Sequence, residues 1–261
     1  MVSYIRFSPL KYFSSTFLIK CIFLPLLLSI KQRDKLRNSA ILEGVQNIGD
    51  KLKQGPAFLV IGNAYHNLGD FRKALHNHEL YLSYIEEEDR AAIGRAHGIL
   101  GKDHLGLGNH KHALICYEQQ LEIAKETGER VEERQACENL GHLYFKIANF
   151  KVAAMWYKCA VYIAEEIGDK TEIGKAKRYL GNCHYHNGRF ENAIKYHRKD
   201  LKLAKELGDK EGEGIAYGNL GDVYFSLGEF QEAITYHEKS LDIAREAKNC
   251  AEEGKACYAI G

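Results

Sequence analysis

Histidine is the residue type in this chain that most invites a chemical role, because twelve histidines occur in 261 residues. In three pairs a single residue separates the two histidines: His76 and His78, His110 and His112, and His184 and His186. Residues i and i+2 of a helix point to opposite sides, so such a pair does not converge on one metal ion. Zinc-binding helices place two histidines four residues apart with a glutamate, and no H-E-x-x-H motif occurs here. We therefore expect core or surface histidines and predict no metal site.

Other catalytic signatures are also absent from the sequence. The glycines recur at long, regular intervals and form no phosphate-binding G-x-x-x-x-G-K loop. No G-x-S-x-G nucleophile elbow is present, and the glutamate and lysine runs have the pattern of solvated helix faces. We accordingly predict that the protein is not an enzyme and takes no cofactor and no small-molecule substrate. Its net charge of +1 provides no overall positive electrostatic field that would favour binding of nucleic acid.

An internal repeat supplies the elements that must position any functional side chain. A Leu-Gly or Ile-Gly pair returns every 39 or 40 residues, with its glycine at Gly62, Gly101, Gly141, Gly181, Gly221 and Gly261. A tyrosine or histidine follows three positions later, an alanine twelve positions later, and a ring four positions after the alanine. These offsets match one helical face, and a central turn interrupts them. Each copy is therefore predicted to be a helix A, a tight turn and a helix B, stacked on its neighbours in a solenoid.

The repeat also predicts how its helices pack, begin and end. A second small residue is expected to close helix A with positive φ, and Ala148 replaces the usual glycine in the third copy, so we expect that turn to be the most strained. Acidic residues such as Asp169 and Asp209 are placed to cap the helix that follows. The first glycine lies inside helix A, where close approach by the backbone of a neighbouring helix would compensate its low helix propensity. One packing slot is filled by Tyr117, Tyr157, His78, His197 or His237.

This pattern resembles the tetratricopeptide repeat, whose bulky residue, Leu-Gly pair, tyrosine, alanine and aromatic residue correspond to Tyr217, Leu220-Gly221, Tyr224, Ala233 and His237. The resemblance covers about four fifths of the chain, with a period of 40 in place of 34 and Gly-Asp in place of the terminal proline. The longer form is similar to the repeats of the LGN/Pins family of cell-polarity adaptors, and equally to the arrays of tetratricopeptide repeat protein 28. The resemblance implies an all-α fold, a right-handed α-solenoid of helix-turn-helix repeats.

The repeat divides the chain into a non-repeat leader, residues 1–37, and an array, residues 38–261. A partial helix B at 38–48 precedes repeats at about 50–88, 89–128, 129–168, 169–208 and 209–249, and a partial helix A at 250–261 follows. Because both ends cut a repeat, we expect a window from a longer protein. The leader's apolar run, 21–30, fits three interpretations: a disordered or wrongly assigned leader, a signal peptide or anchor, or a helix that caps the array. The run is shorter than the roughly 20 residues that span a bilayer, so we do not expect a membrane protein.

In tetratricopeptide arrays the helices A line a concave groove, so the resemblance nominates residues of helix A that point away from the buried Leu-Gly pair. These groove candidates are Asn63, His66, Asn67, Arg95, Lys102, Glu138, His142, Phe145, Lys146, Lys175, Arg178, Asn182, Tyr185, His186, Asp222 and Phe225. Five of them are basic and two are acidic, a net charge of +3 in a nearly neutral chain. Asparagine can hold a peptide backbone and arginine a carboxylate. We therefore predict that an acidic, extended or partly helical segment of a partner protein binds along the groove; the alternative is that these charges are only a solvated face.

The sequence supports two functional classes. The first is a protein-interaction scaffold without an activity of its own, and the LGN/Pins resemblance implies roles in polarity, spindle orientation and G-protein regulation in the cytoplasm or at the cell cortex. The Gα-binding motifs of that family are not found in this sequence. The second class is the partner-sensing arm of a larger enzyme or signalling ATPase. Seven cysteines form no C-x-x-C pair, which favours reduced, buried thiols in an intracellular protein.

Overall fold

The computed structural model describes residues 51–247 together with Ala256 and Cys257. Every regular element within these residues is helical, which confirms the predicted all-α fold. The ten helices of residues 51–247 are α1 (Lys51–Asn67), α2 (Phe71–Ser83), α3 (Arg90–Gly106), α4 (His110–Thr127), α5 (Arg130–Lys146), α6 (Phe150–Ile167), α7 (Lys170–His186), α8 (Phe190–Leu207), α9 (Lys210–Ser226) and α10 (Phe230–Glu246). The predicted leader and the partial helix B at 38–48 lie outside the described residues.

The chain forms two compact units, Met1–Asn109 and His110–Gly261. In the first unit α2 packs on both α1 and α3. In the second unit each helix from α4 to α10 packs on the next, and α7 also contacts α9, the helix A of the following copy. Odd-numbered helices are helices A and even-numbered helices are helices B. Each unit is therefore built from helix-turn-helix repeats packed side by side, the arrangement of an α-solenoid.

Acidic caps and a positive φ define the turns between these helices. The Asp169 carboxylate accepts a hydrogen bond from the backbone N–H of Glu172 at 3.1 Å, and Asp209 accepts one from Gly212 at 2.9 Å. Between α5 and α6, Ala148 adopts a φ of 59°, and no other non-glycine residue of the described chain has a positive φ. The left-handed conformation costs an L-residue about 1 to 2 kcal/mol, so the predicted strain at this turn is confirmed.

A ring from helix B covers the glycine inside helix A of the same copy. A Cβ atom built on Gly181 would lie 2.4 Å from Cε1 of His197, and one built on Gly141 would lie 2.8 Å from Cε1 of Tyr157. Gly62 with His78 and Gly221 with His237 are further pairs of this kind. The prediction of close approach by a neighbouring backbone was therefore wrong, because a side-chain ring fills the space. A buried ring is the physical reason for a glycine in this helix.

Adding a methyl group under one of these rings should destabilise the fold. Gly221→Ala in α9 is expected to lower the free energy of unfolding by about 1 to 3 kcal/mol, because the methyl overlaps the His237 ring. Gly218→Ala in the same helix is the matched control, since its Cβ would meet only the Ser240 hydroxyl at 3.5 Å. There the higher helix propensity of alanine should stabilise the protein by up to about 1 kcal/mol. Urea unfolding followed by circular dichroism measures both; equal midpoints would contradict the ring-over-glycine packing.

Candidate functional site

The groove candidates lie on α1 and α3 of the first unit and on α5, α7 and α9 of the second. Each keeps at least part of its surface accessible. The exposed members are Asn63, Asn67, Arg95, Lys146, Lys175, His186, Asp222 and Phe225. The half-buried members are His66, Lys102, Glu138, His142, Phe145, Arg178, Asn182 and Tyr185. Their role in binding stays a prediction, and their surroundings differ between the two units.

In the first unit the two basic groove candidates have no acidic partner among the described residues. Arg95 is exposed and Lys102 is half-buried, and both lie on α3. Asn63 and Asn67 on α1, the other helix A of this unit, are also exposed. The first unit therefore offers two cationic groups and two amides to solvent, which are the groups that bind carboxylates and peptide backbone.

A buried histidine–aspartate network lies in the core of the same unit. Hydrogen bonds join the fully buried Asp103 carboxylate to Nδ1 of His66 at 2.6 Å and to Nδ1 of His78 at 2.5 Å. In later copies this position is apolar and buried, as Leu143, Cys183 and Val223. Two histidines thus provide hydrogen-bond partners for a carboxylate in a core position. Burial of this carboxylate without such partners would cost free energy. The groove candidate His66 is consequently a structural partner of Asp103 as well as a partly exposed side chain.

In the second unit acidic side chains engage the basic candidates of α7. Nε of Arg178 donates a hydrogen bond to Asp200 at 2.8 Å, and Nζ of Lys175 donates one to Glu172 at the same distance. Asp200 lies on α8 and is 1% exposed. Burial raises the pKa of its carboxyl group, while the Arg178 guanidinium acts in the opposite direction. Arg178 therefore joins α7 to α8, and its charge is already neutralised by a buried carboxylate.

Arg134 organises a second charged cluster that the repeat pattern does not reveal. It lies buried on α5, where its Nη1 donates to Glu138 at 2.5 Å and to Glu172 of α7 at 3.1 Å. Desolvation raises the pKa of Glu138, and the neighbouring Arg134 opposes that rise. Arg134, Glu138, Glu172 and Lys175 form a network of alternating charge across α5 and α7. Its two cations balance its two anions. The basic excess counted from the sequence is therefore reduced in this unit.

Rings and hydroxyl groups connect successive helices A in the second unit. The rings of His142 on α5 and Tyr179 on α7 meet edge-on with centroids 4.5 Å apart. A hydrogen bond of 3.0 Å joins Tyr185 Oη on α7 to Ser226 Oγ on α9. Helices α5, α7 and α9 therefore lie side by side, and the surface that they share carries rings, amides and paired charges.

The spacing argument against paired histidines agrees with their placement. His76 is exposed while His78 is buried, and His184 is buried while His186 is exposed. Among the residues that the structure describes, no three histidine, cysteine, aspartate or glutamate side chains are grouped as a metal ion would require.

None of the described helices combines the length and the apolar composition needed to cross a membrane.

Comparison with known proteins gives a family match for part of the array. Residues 172–246 match the family model described as tetratricopeptide repeat. None of the curated proteins matches the chain in sequence. A solved structure of a signal transduction ATPase with numerous domains, which carries a tetratricopeptide repeat sensor and comes from Pyrococcus horikoshii, is 20% identical with a TM-score of 0.74. The alignment covers 94% of this chain and 36% of the ATPase protein, so the chain spans about a third of that protein's length.

Two further solved structures share the fold. BtubC from P. vanneervenii is 19% identical with a TM-score of 0.72, over 85% of this chain and 94% of its own. The Rap conjugation gene regulator of the plasmid pLS20, solved in complex with a Phr peptide, is 19% identical with a TM-score of 0.62, over 90% of this chain and 60% of its own. At these identities the similarity shows the fold alone.

Proposed function

We propose that this chain, which carries tetratricopeptide repeats, is a non-catalytic scaffold that holds a peptide segment of a partner protein along its helices A. The observation that carries the proposal is that the helices A bury one face and present the groove candidates, all at least partly accessible, on another. A Rap regulator of the same fold was solved in complex with a peptide, which supports a peptide ligand for this kind of array. The partner contributes an extended or partly helical segment.

An acidic segment fits the first unit. Arg95 and Lys102 carry no ion pair with any described residue, so a ligand carboxylate meets charges that no neighbour has neutralised. In the second unit Arg178 and Lys175 already bond to carboxylates. Binding there depends more on hydrogen bonds from groups such as the half-buried Asn182. The acidic preference of the ligand is therefore assigned to the first unit.

A more specific hypothesis is that the chain is an adaptor of the LGN/Pins type, or of the type of tetratricopeptide repeat protein 28. It gives the chain a role in cell polarity, spindle orientation and G-protein signalling, in the cytoplasm or at the cell cortex. Its support is the similarity of the long-period repeats in the sequence. Gα-binding motifs elsewhere in the full transcript would support this hypothesis.

A second candidate function is the partner-sensing arm of a larger signalling ATPase or enzyme. The similarity to an ATPase protein with a tetratricopeptide repeat sensor favours it, because this chain aligns with about a third of that protein. Both functions use the same peptide-binding surface. Sequencing of the full transcript separates them, since a P-loop domain would support the sensing arm.

Reversing both cations of α3 tests the acidic-segment proposal. The variant Arg95→Glu with Lys102→Glu is expected to weaken binding of an acidic peptide, selected on the wild-type protein, by about tenfold or more, because two attractive charges become repulsive. Fluorescence anisotropy of the labelled peptide measures the change. Arg72→Glu with Lys111→Glu is the matched control, since both residues are exposed on helices B and the net charge changes equally. Equal affinity of both double variants would contradict the proposal.

A further inference from the structure

Helix B of the third copy, α6, departs from the repeat pattern on its exposed side. Six and nine positions after the helix B alanine, the second, fourth and fifth copies carry polar residues: Gln119 and Glu122, Lys199 and Lys202, and Lys239 and Asp242. The third copy carries Cys159 and Tyr162 instead. Tyr162 is 62% exposed, and Cys159 is also exposed, contrary to the expectation of buried thiols. The second, fourth and fifth copies thus act as internal references that mark this apolar surface as unusual among them.

These side chains line an open cavity of about 340 Å³ between α4, α5 and α6, within the second unit. Trp156, Tyr162 and Ile163 form its apolar wall. Cys137 also lines it, and burial raises the pKa of this thiol to about 12, so it stays uncharged at neutral pH. A volume of this size lies in the range of pockets that bind small molecules, about 300 to 1,000 Å³.

Two unpaired lysines give the cavity a positive charge. Lys125 and Lys158 line it, both are exposed, and neither has an ion-pair partner among the residues that the structure describes. Arg130 and Glu133 also line the cavity, but they bond to each other at 2.5 Å, and Arg130 bonds to Glu166 as well. The lysines are therefore the charges that remain available to a ligand.

We propose that this cavity binds a small amphipathic anion, with an aryl or alkyl body and one carboxylate, sulfonate or phosphate group. The body packs on Trp156 and Tyr162, and the acidic group binds Lys125 and Lys158. A partner helix would need a long groove with anchors at successive turns, whereas this cavity is compact, so a small molecule is the occupant. No groove candidate lines the cavity, so the site is separate from the peptide-binding surface.

Trp156 makes the proposal directly testable, because it is the only tryptophan in the sequence. Titration of the full chain with anilinonaphthalene sulfonate, an aryl sulfonate, is expected to quench tryptophan emission and to sensitise probe emission by energy transfer, saturating at one probe per chain. Lys125→Glu and Lys158→Glu should each raise the dissociation constant by about tenfold. Octanoate, an alkyl carboxylate, should displace the probe from the wild-type protein.

Lys151→Glu is the matched control for these variants. Lys151 is exposed on the same helix as Lys158, does not line the cavity, and gives the same change in net charge. Thermal unfolding followed by circular dichroism verifies that each variant is folded. Absence of saturable quenching, or equal binding by all three variants, would overturn the proposal. The proposal would also be overturned if the chain self-associated, if Tyr162→Glu abolished this association and if the probe did not inhibit it. The surface would then join two copies of the chain.

Discussion

Arg178→Ala should lower the free energy of unfolding by about 3 to 5 kcal/mol, which is the loss expected when one partner of a buried ion pair is removed. The substitution leaves the Asp200 carboxylate, 1% exposed, without the guanidinium that now donates to it at 2.8 Å. Urea unfolding followed by circular dichroism measures this loss. Arg178, a groove candidate, is thus expected to act mainly on stability, so a substitution at this residue would not report on ligand binding alone.

Two further variants establish the cause of this loss. Asp200→Ala on the Arg178→Ala background should restore most of the stability, because the third copy carries the fully buried Ala160 at the same repeat position. Lys175→Ala is the control on the same helix, since its side chain is 51% exposed and a surface ion pair contributes about 0 to 1 kcal/mol. Equal losses from Arg178→Ala and Lys175→Ala would contradict a special role for the buried pair.

Acidification from about pH 6.5 to about pH 4 should remove about 3 kcal/mol of stability through His197. This side chain is 1% exposed, and burial, with the nearby Arg178 charge as a smaller cause, lowers its pKa from 6.5 to about 4. The same imidazole in the unfolded chain binds a proton near pH 6.5. The unfolded state therefore holds more protons between these values, so stability rises with pH across the window and is lost as the pH falls. Urea midpoints at a series of pH values measure this dependence.

His197→Tyr is the matched variant for the pH experiment. Tyr157 fills the same slot over Gly141 in the third copy, so the fold accommodates a tyrosine there. The variant should lose less stability than the wild-type protein when the pH falls. Burial also lowers the pKa of His237, so this residue accounts for part of the stability that the variant still loses in acid. Asp200 opposes this loss of stability at low pH, because its pKa is raised in the folded state and its protonation there favours folding. Identical pH profiles for variant and wild type would contradict the assignment to His197.

The helical hairpins and the strained turn at Ala148 could be predicted because their determinants are local and periodic. The spacing of glycines, alanines and rings sets which face of each helix is buried and where each helix ends. The ion pairs could not be predicted in this way. Arg178 and Asp200 are 22 residues apart, and Arg134 and Glu172 are 38 residues apart. Such pairs depend on the rotation of one helix against another, which the repeat period does not determine.

Two other features were missed although the sequence contains the necessary information. Asp103 occupies a position that is apolar in the later copies, and Tyr162 occupies one that is polar in its neighbours. Comparison of the copies position by position would have marked both residues. Their partners, the two histidines of the Asp103 network and the lysines of the cavity, come from other helices and required the structure.

The ring that covers the helix A glycine is a tyrosine in one copy of the second unit and a histidine in two others, His197 and His237. A histidine codon becomes a tyrosine codon through one base change. Selection can therefore adjust the acid tolerance of such an array in small genetic steps, one copy at a time, while the shape of each repeat is preserved. The same exchange gives an engineer a simple way to set the pH at which a chosen repeat loses its stability.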